Sequence, residues 1–301
     1  MTDSAFITIG LNPTLQKTLV FPELVPDRVN RCGRYCFDSA GKGLNMSRVL
    51  TQLGKKNVHL THLGGSLRPV FLDLCRRDGL EVRWVENNGN IRFCYTLIDK
   101  EKQQITELVE EGEPAGEGTG DRLLETLDNL LPESSSLIIG GSMTAGLPDS
   151  LIPETVRRAK KAGLFVILDI RGKDLVHSLP YKPDLIKPNL EEFIATFAPG
   201  NPPDKGKIAS LCRELWTQYG CRIVLTRGSR SVWYAEAGNL GEFPVEGIEA
   251  LNTTGSGDAF TAGLAAALGD GASLKEAVAE GARCGKLNAL LLKPGSVKNE
   301  E

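Results

Sequence analysis

From residue 121 onward the chain alternates between short apolar runs and longer stretches of helical periodicity, and few folds accept that alternation. Helices are predicted over 121–130, 149–162, 189–197 and 207–219, and strands over 136–139, 164–169, 185–187 and 221–226. A hairpin is predicted at 231–235 and 241–245, and two helices close the chain. Strands separated by helices must be joined by crossovers, which makes a mainly parallel sheet with helices on both faces. The expected class is a doubly wound α/β fold. Its ligands bind beyond the carboxyl ends of the strands. Asn12, the Gly-Gly-Ser run at 140–142, Asp169, Lys187 to Asn189 and Thr226 to Gly228 all follow strands, so one cleft is expected to collect them.

The first third reads differently. A buried strand over 5–12 ends at Asn12-Pro13. Short alternating runs at 17–21 and 34–38, and again at 92–98 and 103–109, have the period of exposed strands. They are predicted to form a small β lid from two chain segments, about 13–39 and 88–110, over one domain spanning 1–301. Between the segments lie a helix at 44–53, a strand at 58–63 and a helix at 68–77. The acidic, glycine-rich run after the lid, up to residue 120, reads as a loop, and so does the stretch opening at Asn201-Pro202.

Composition excludes several classes. With 35 basic and 38 acidic residues the net charge is −3, so no basic surface for nucleic acid is expected. No apolar run approaches a membrane span, and the first six residues carry no charged signal region, so a soluble cytoplasmic protein is expected. The seven cysteines are scattered without a Cys-x-x-Cys pair and are read as reduced thiols. His59 and His62 fall three apart in an apolar stretch and are assigned no chemistry.

Two glycine turns carry the chemistry. Residues 252–258, Asn-Thr-Thr-Gly-Ser-Gly-Asp, lead into an Ala- and Leu-rich helix. A glycine turn at a helix start leaves backbone N–H groups aimed at one point, where they suit a phosphate. Asp258 would repel that anion unless it faces the attacking hydroxyl, whose proton a carboxylate can accept. Residues 40–45, Ala-Gly-Lys-Gly-Leu-Asn, form a second turn before a helix, and no Ser or Thr follows the Lys as in a P-loop. No Gly-x-Gly-x-x-Gly follows the first strand, which sets aside a dinucleotide oxidoreductase.

The run at 252–263 resembles the signature of the ribokinase-like (PfkB) carbohydrate kinases, with Ser256 in place of the usual Ala. The turn at 40–45 resembles the family's first signature, with Ala40 in place of a Gly. Within the family the resemblance is to the branch of 1-phosphofructokinases and tagatose-6-phosphate kinases. It rests on residues 8–13 and 29–31, Arg92, Thr106-Glu107, Gly141-Ser142 and Lys187 to Asn189. It implies that Asp258 is the base and that Gly255, Ser256 and Gly257 form the anion hole. It implies substrate contacts at Asn12, Gln16, Gly41, Lys42, Gly43, Asn45, Arg92, Ser142 and Arg171. Nucleotide contacts are implied at Lys187, Asn189, Thr226, Gly228, Thr254, Gly257 and Asn288, with Asn288 lining the adenine pocket. Glu192, in a capping-box spacing from Asn189, would face Mg²⁺ through water.

The implied reaction is ATP- and Mg²⁺-dependent phosphorylation of a hydroxymethyl group on a ketohexose phosphate. Arg92 would hold the phosphate already present, with Lys42 and Arg171 beside it, and Arg227 and Arg230 would add positive charge on the nucleotide side. Three features depart from the branch: Gln16 stands for Asp, Arg171 for a small hydroxyl residue, and 141–146 for Gly-Ser-Leu-Pro-x-Gly. A kinase of an unphosphorylated sugar or nucleoside, and a catalytically silent binding homologue, therefore stay open. A homodimer through the lid is also expected, since such lids leave an apolar face.

Overall fold

In a computed structural model of the chain, residues 5–200 and 203–298 are described; Asn201 and Pro202 and the first four residues lie outside them. The main sheet has nine strands. In chain order they are β1 (Phe6–Ile9), β4 (Asn57–Gly64), β5 (Val82–Asn87), β8 (Ser136–Gly140), β9 (Phe165–Asp169), β10 (Leu185–Ile186), β11 (Arg222–Leu225), β12 (Val232–Glu236) and β13 (Asn239–Phe243). Their spatial order is β13-β12-β11-β10-β9-β8-β1-β4-β5, with every pairing parallel except the two that the reversed strand β12 makes with β11 and β13. After β1 the chain builds outward through β4 and β5, then returns to the other side of β1 for β8 to β13. The order thus reverses between β1 and β8, where such sheets open a crevice at their carboxyl ends.

Period-two alternation decides which side chains meet which helices. Ile7 and Ile9, Leu137 and Ile139, Val166 and Leu168, Ile223 and Leu225 all enter one core. That core is closed by α3 (Thr119–Leu130), α4 (Leu151–Lys161), α5 (Gly172–Ser178), α6 (Leu190–Phe197) and α7 (Lys205–Tyr219). The intervening residues Phe6, Ile138, Ile167 and Val224 enter a second core with α1 (Lys42–Gln52), α8 (Ser256–Gly269) and α9 (Leu274–Ala289). Each strand is therefore buried on both faces, as parallel strands under crossover helices must be. Two devices start helices cleanly: Asn189 caps α6 and Ser273 caps α9, each in a capping box with a Glu at the third position.

A second sheet of four strands stands apart from the first. Its order is β3-β2-β6-β7, from β2 (Thr14–Phe21), β3 (Arg34–Ala40), β6 (Arg92–Asp99) and β7 (Gln104–Val109). Two antiparallel hairpins are joined through a central parallel pair in which Thr14 lies opposite Arg92. The helix α2 (Arg68–Arg77) packs Phe71 and Cys75 with Leu15 of this sheet and Leu63 of β4 in a third small core. The helix α5, not expected from the sequence, occupies the stretch after β9, and β5 joins the main sheet. Among the described residues no helix is long and apolar enough to cross a membrane, and none of the seven cysteines forms a disulfide.

Candidate active site

Two adjoining cavities, of about 700 and 540 Å³, lie at the carboxyl ends of the parallel strands under the small sheet. They share Gly41, Lys42, Arg92, Asp169 and Glu192, which makes them two halves of one cleft. Asn12, Gly141, Ser142 and Arg171 line the first half. Gln16, Asn45, Lys187, Asn189, Thr226, Thr254, Gly255, Gly257 and Asp258 line the second. The two glycine turns, more than two hundred residues apart in sequence, meet here through one bond: Asn45 Nδ2 donates to Asp258 Oδ2 at 2.8 Å.

Asp258 occupies the first turn of α8, which opens from Gly255 at φ +81°. A side chain at Gly255 would need that strained backbone and would press on the backbone of Gly295. Of the turn's N–H groups, Thr254 N already donates to Asn252 Oδ1 and Ser256 N to Thr253 O. The N–H groups of Gly255 and Gly257 stand outside these bonds. Ser256 departs from its expected place in the anion hole, because its N–H is spent and its hydroxyl accepts from Asn288 Nδ2 at 3.0 Å. Asn288 is a second correction. It is fully buried behind the turn, donating to Thr254 O and accepting from Ser296 N, so it braces the turn from below instead of lining a nucleotide pocket.

The electrostatics centre on Asp169 at the end of β9, a carboxylate that the sequence reading placed near the cleft without a role. It is buried, accepts from Thr261 Oγ1 at 2.6 Å, and lies 3.1 Å from Lys187 Nζ and 3.4 Å from Lys42 Nζ. Burial works against its charge, yet Lys187, Lys42 and the Thr261 hydroxyl together hold its carboxyl below the usual range. Asp169, desolvation by burial and Asp258 act on Lys42 in that order, with a net effect of holding its ammonium charged. Asp258 moves the other way. Burial pushes its carboxyl up to about 6, with Asp169 adding to the rise and Lys42, Asn45 and Lys187 opposing it. A carboxylate poised there is matched to taking a proton near neutral pH.

The cations expected around a phosphate are not equivalent. Lys42 faces Asp169 and Glu192, and Arg171 Nη1 lies 3.8 Å from Glu192 Oε1, so both have protein carboxylates for partners. All three, Arg92 included, line the first half of the cleft, Lys42 and Arg171 with carboxylates already at hand. Arg92 is different: Nη1 donates to Glu110 O at 2.9 Å, while its Nε is buried with no partner. Asn12 Oδ1 is likewise buried and unpartnered, with Asn12 Nδ2 donating to Ser142 Oγ at 3.3 Å. Gln16 is buried and spends one amide N–H on Thr96 Oγ1 within the small sheet, so its carbonyl oxygen and second N–H remain for a ligand.

On the other half, Asn189 and Thr226 pair as a β-bridge, and Glu192 Oε2 accepts from Asn189 N at 3.0 Å. Gly228 sits two residues beyond Thr226 at φ +63° and lies outside the lining of either half. Arg227 stacks on Trp233 at 3.9 Å and bonds Ser231 and Glu242, which turns its charge toward the β12–β13 hairpin and away from the cleft. Arg230 is exposed beside it. Thr254 Oγ1 donates to Glu107 Oε1 of β7 at 3.0 Å, a contact between the small sheet and the anion turn that residue type alone did not single out. His59 and His62 are buried, bonded to Thr8 Oγ1 and Leu11 O, and burial pulls both ring pKa values down, that of His59 to about 3.

Gly43 sets how close α1 comes to β1. A methyl group there would lie 2.5 Å from Ile9 O and 2.6 Å from Gly10 N, both backbone. Gly43→Ala is expected to lower stability by about 1–3 kcal/mol through overpacking. The check is a urea midpoint at unchanged slope, and a midpoint equal to wild type contradicts the close approach.

A family model for pfkB family carbohydrate kinases matches residues 12–297, which span both glycine turns and every strand except β1. The chain belongs to the pfkB family of carbohydrate kinases. Solved structures share the fold. Phosphofructokinase-2 from Escherichia coli, in complex with fructose-6-phosphate, is 22% identical with a TM-score of 0.84, over 96% of this chain and 94% of that one. A protein from Thermotoga maritima described as a possible 1-phosphofructokinase is 21% identical with a TM-score of 0.87, over 96% and 93%. Ribokinase from Thermotoga maritima is 20% identical with a TM-score of 0.72, over 98% and 95%. As a pfkB kinase, the chain transfers a phosphoryl group to a hydroxyl acceptor.

Proposed function

We propose that this pfkB kinase transfers the terminal phosphoryl group of ATP to a hydroxymethyl group of a ketohexose phosphate. The observation that carries the reading is the placement of Asp258. It lies buried beside the Gly255–Gly257 turn in the half-cleft that Arg92 also lines, and Arg92 Nε and, in the adjoining half, Asn12 Oδ1 are buried polar atoms without partners. In this reading the acceptor hydroxyl gives its proton to Asp258 as it attacks. The N–H groups of Gly255 and Gly257 stabilise the charge on the transferring group. Arg92 grips the acceptor's phosphate, and a guanidinium fits a phosphate through two parallel bonds. Lys187, Asn189, Thr226 and Thr254 serve the nucleotide side.

Among the described residues no group of three or more acidic, His or Cys side chains could hold a metal ion alone. Mg²⁺ would therefore come with the nucleotide, reaching Glu192 through water, and would neutralise phosphate charge. The small sheet would act as the lid over the cleft, held by Glu107 on Thr254 within a single domain of 1–301. Its exposed Tyr35, Leu108 and Val109 suit a second copy of the chain. No basic excess points to nucleic acid and, among the described residues, no membrane span points to lipid; a cytoplasmic setting fits cysteines without disulfides.

A second reading, a kinase of an unphosphorylated sugar, is favoured by one fact: Lys42 and Arg171 already have carboxylate partners. The deciding experiment measures ATP consumption with matched ketohexose phosphates and free sugars, with and without a chelator. The proposal expects turnover on a phosphorylated acceptor that stops in chelator and returns with Mg²⁺. Preference for the free sugar selects the second reading, and full turnover in chelator removes the role of Mg²⁺.

A further inference from the structure

We propose that Arg48, buried beneath the cleft on α1, is a positioning residue: it fixes which end of the Asn45 amide faces Asp258, and so leaves one defined carboxylate oxygen of Asp258 to accept the proton. The proposal rests on the reading of Asp258 as the base. Arg48 is 1% exposed, lines neither half of the cleft, and takes no part in the chemistry read above. A helix side chain in such a place is ordinarily apolar, because an uncompensated buried cation costs several kcal/mol. Here four of the guanidinium's five N–H groups find acceptors. Nε donates to Asp78 Oδ2 at 2.7 Å, Nη1 to Asn45 Oδ1 and to Pro294 O at 3.1 Å each, and Nη2 to Ser39 O.

Arginine keeps its proton at any pH a protein tolerates and offers donors only. Asn45 lies three residues before Arg48 on the same helical face, so its amide must turn its oxygen to the guanidinium. The flipped amide would set its own N–H groups against donors and its oxygen against a carboxylate. Its nitrogen is therefore committed to Asp258 Oδ2, at 2.8 Å. Oδ2 of Asp258 thus already accepts a bond while Oδ1 accepts none from the described side chains, which favours Oδ1 for the incoming proton. The same guanidinium touches the end of β3 at Ser39 and the chain at Pro294, and at the neighbouring Gly295 any side chain would collide with Asn45. Besides Asn45, the charged groups around Asp258 are Lys42 from α1, Asp169 from the end of β9 and Lys187 after β10, and none of them bonds to Arg48.

The test uses the full-length enzyme with Arg48→Lys, Arg48→Gln, Asn45→Ala and Arg48→Lys combined with Asn45→Ala, and reads kcat at saturating substrates against pH. An ammonium cannot span Asp78 and Asn45 as the planar fork does. Losing a hydrogen bond to the charged form raises a carboxyl pKa. The acid limb of kcat is thus expected to move up by about one pH unit in Arg48→Lys, with plateau kcat down about tenfold and KM for ATP unchanged. Asn45→Ala should show the same limb, and the double variant no further shift. An unmoved limb in a folded Arg48 variant, or shifts that add in the double variant, overturns the proposal. Should neither Arg48 variant fold, an unshifted limb in Asn45→Ala overturns it as well and a shifted one supports it. An Asp258→Asn control separates the two readings: retained activity there defeats the base, whereas a dead control beside an unmoved limb defeats only the role of Arg48.

Discussion

Asp258→Asn is expected to lower kcat by roughly 10²–10⁴-fold while leaving the fold and ATP affinity close to wild type, because general-base catalysis supplies that much. The amide keeps the shape of the carboxylate and can still meet Asn45, but it has no lone pair basic enough to take the hydroxyl proton. The same assignment fixes a pH dependence. Burial leads the causes that hold the Asp258 carboxyl at about 6, and the base works only when deprotonated. Turnover should therefore rise with pH through about 6 and level off above, since Lys42 stays charged throughout. Steady-state assays from acid to neutral pH, alongside the variant, check both statements. A variant that keeps most of its rate, or a profile flat through pH 6, removes Asp258 from the chemistry.

The second large effect is expected at Arg92. A charge-assisted bond to phosphate is worth about 1.5–3 kcal/mol. Arg92→Ala should therefore raise KM for a sugar phosphate by roughly ten- to a hundredfold, with KM for ATP nearly unchanged. The structure sharpens the reason for choosing this residue over Lys42 or Arg171. Those two already face Asp169 and Glu192, and removing either disturbs carboxylates as well as any ligand. Arg92 holds only the carbonyl of Glu110 and keeps a buried Nε unpartnered. Matched free and phosphorylated sugars separate the outcomes: equal loss on both would show that Arg92 supports the lid and not the phosphate.

Much of this architecture was legible because its signals are local. Strands such as Phe165–Asp169 are apolar on both faces, and helices such as Lys205–Tyr219 stop at a glycine, so period and punctuation suffice. The small sheet was legible because its strands alternate where those of the main sheet do not. What escaped depends on partners distant in sequence. Arg227 looked like a cation for nucleotide phosphates until Trp233 and Glu242 of the neighbouring hairpin claimed it. Asn288 looked like a pocket residue, and the turn it supports lies more than thirty residues earlier. Arg48 drew no attention at all, since its partners sit at positions 39, 78 and 294 as well as one turn away. The helix at Gly172–Ser178 escaped for a local reason: it is seven residues long and opens without a side-chain cap.

The parallel pairing of β2 with β6 has a consequence for how the chain acquires its shape. The hairpins β2–β3 and β6–β7 are each local, but the rungs between them join residues 78 apart in sequence. Closing so long a span carries an entropic penalty before any contact repays it. The intervening segment removes that penalty once α1, β4, α2 and β5 have docked beside β1, because it then brings the two hairpins side by side. Assembly thus has a built-in order. The floor of the cleft condenses first, and its cover zips shut only on a floor that already exists.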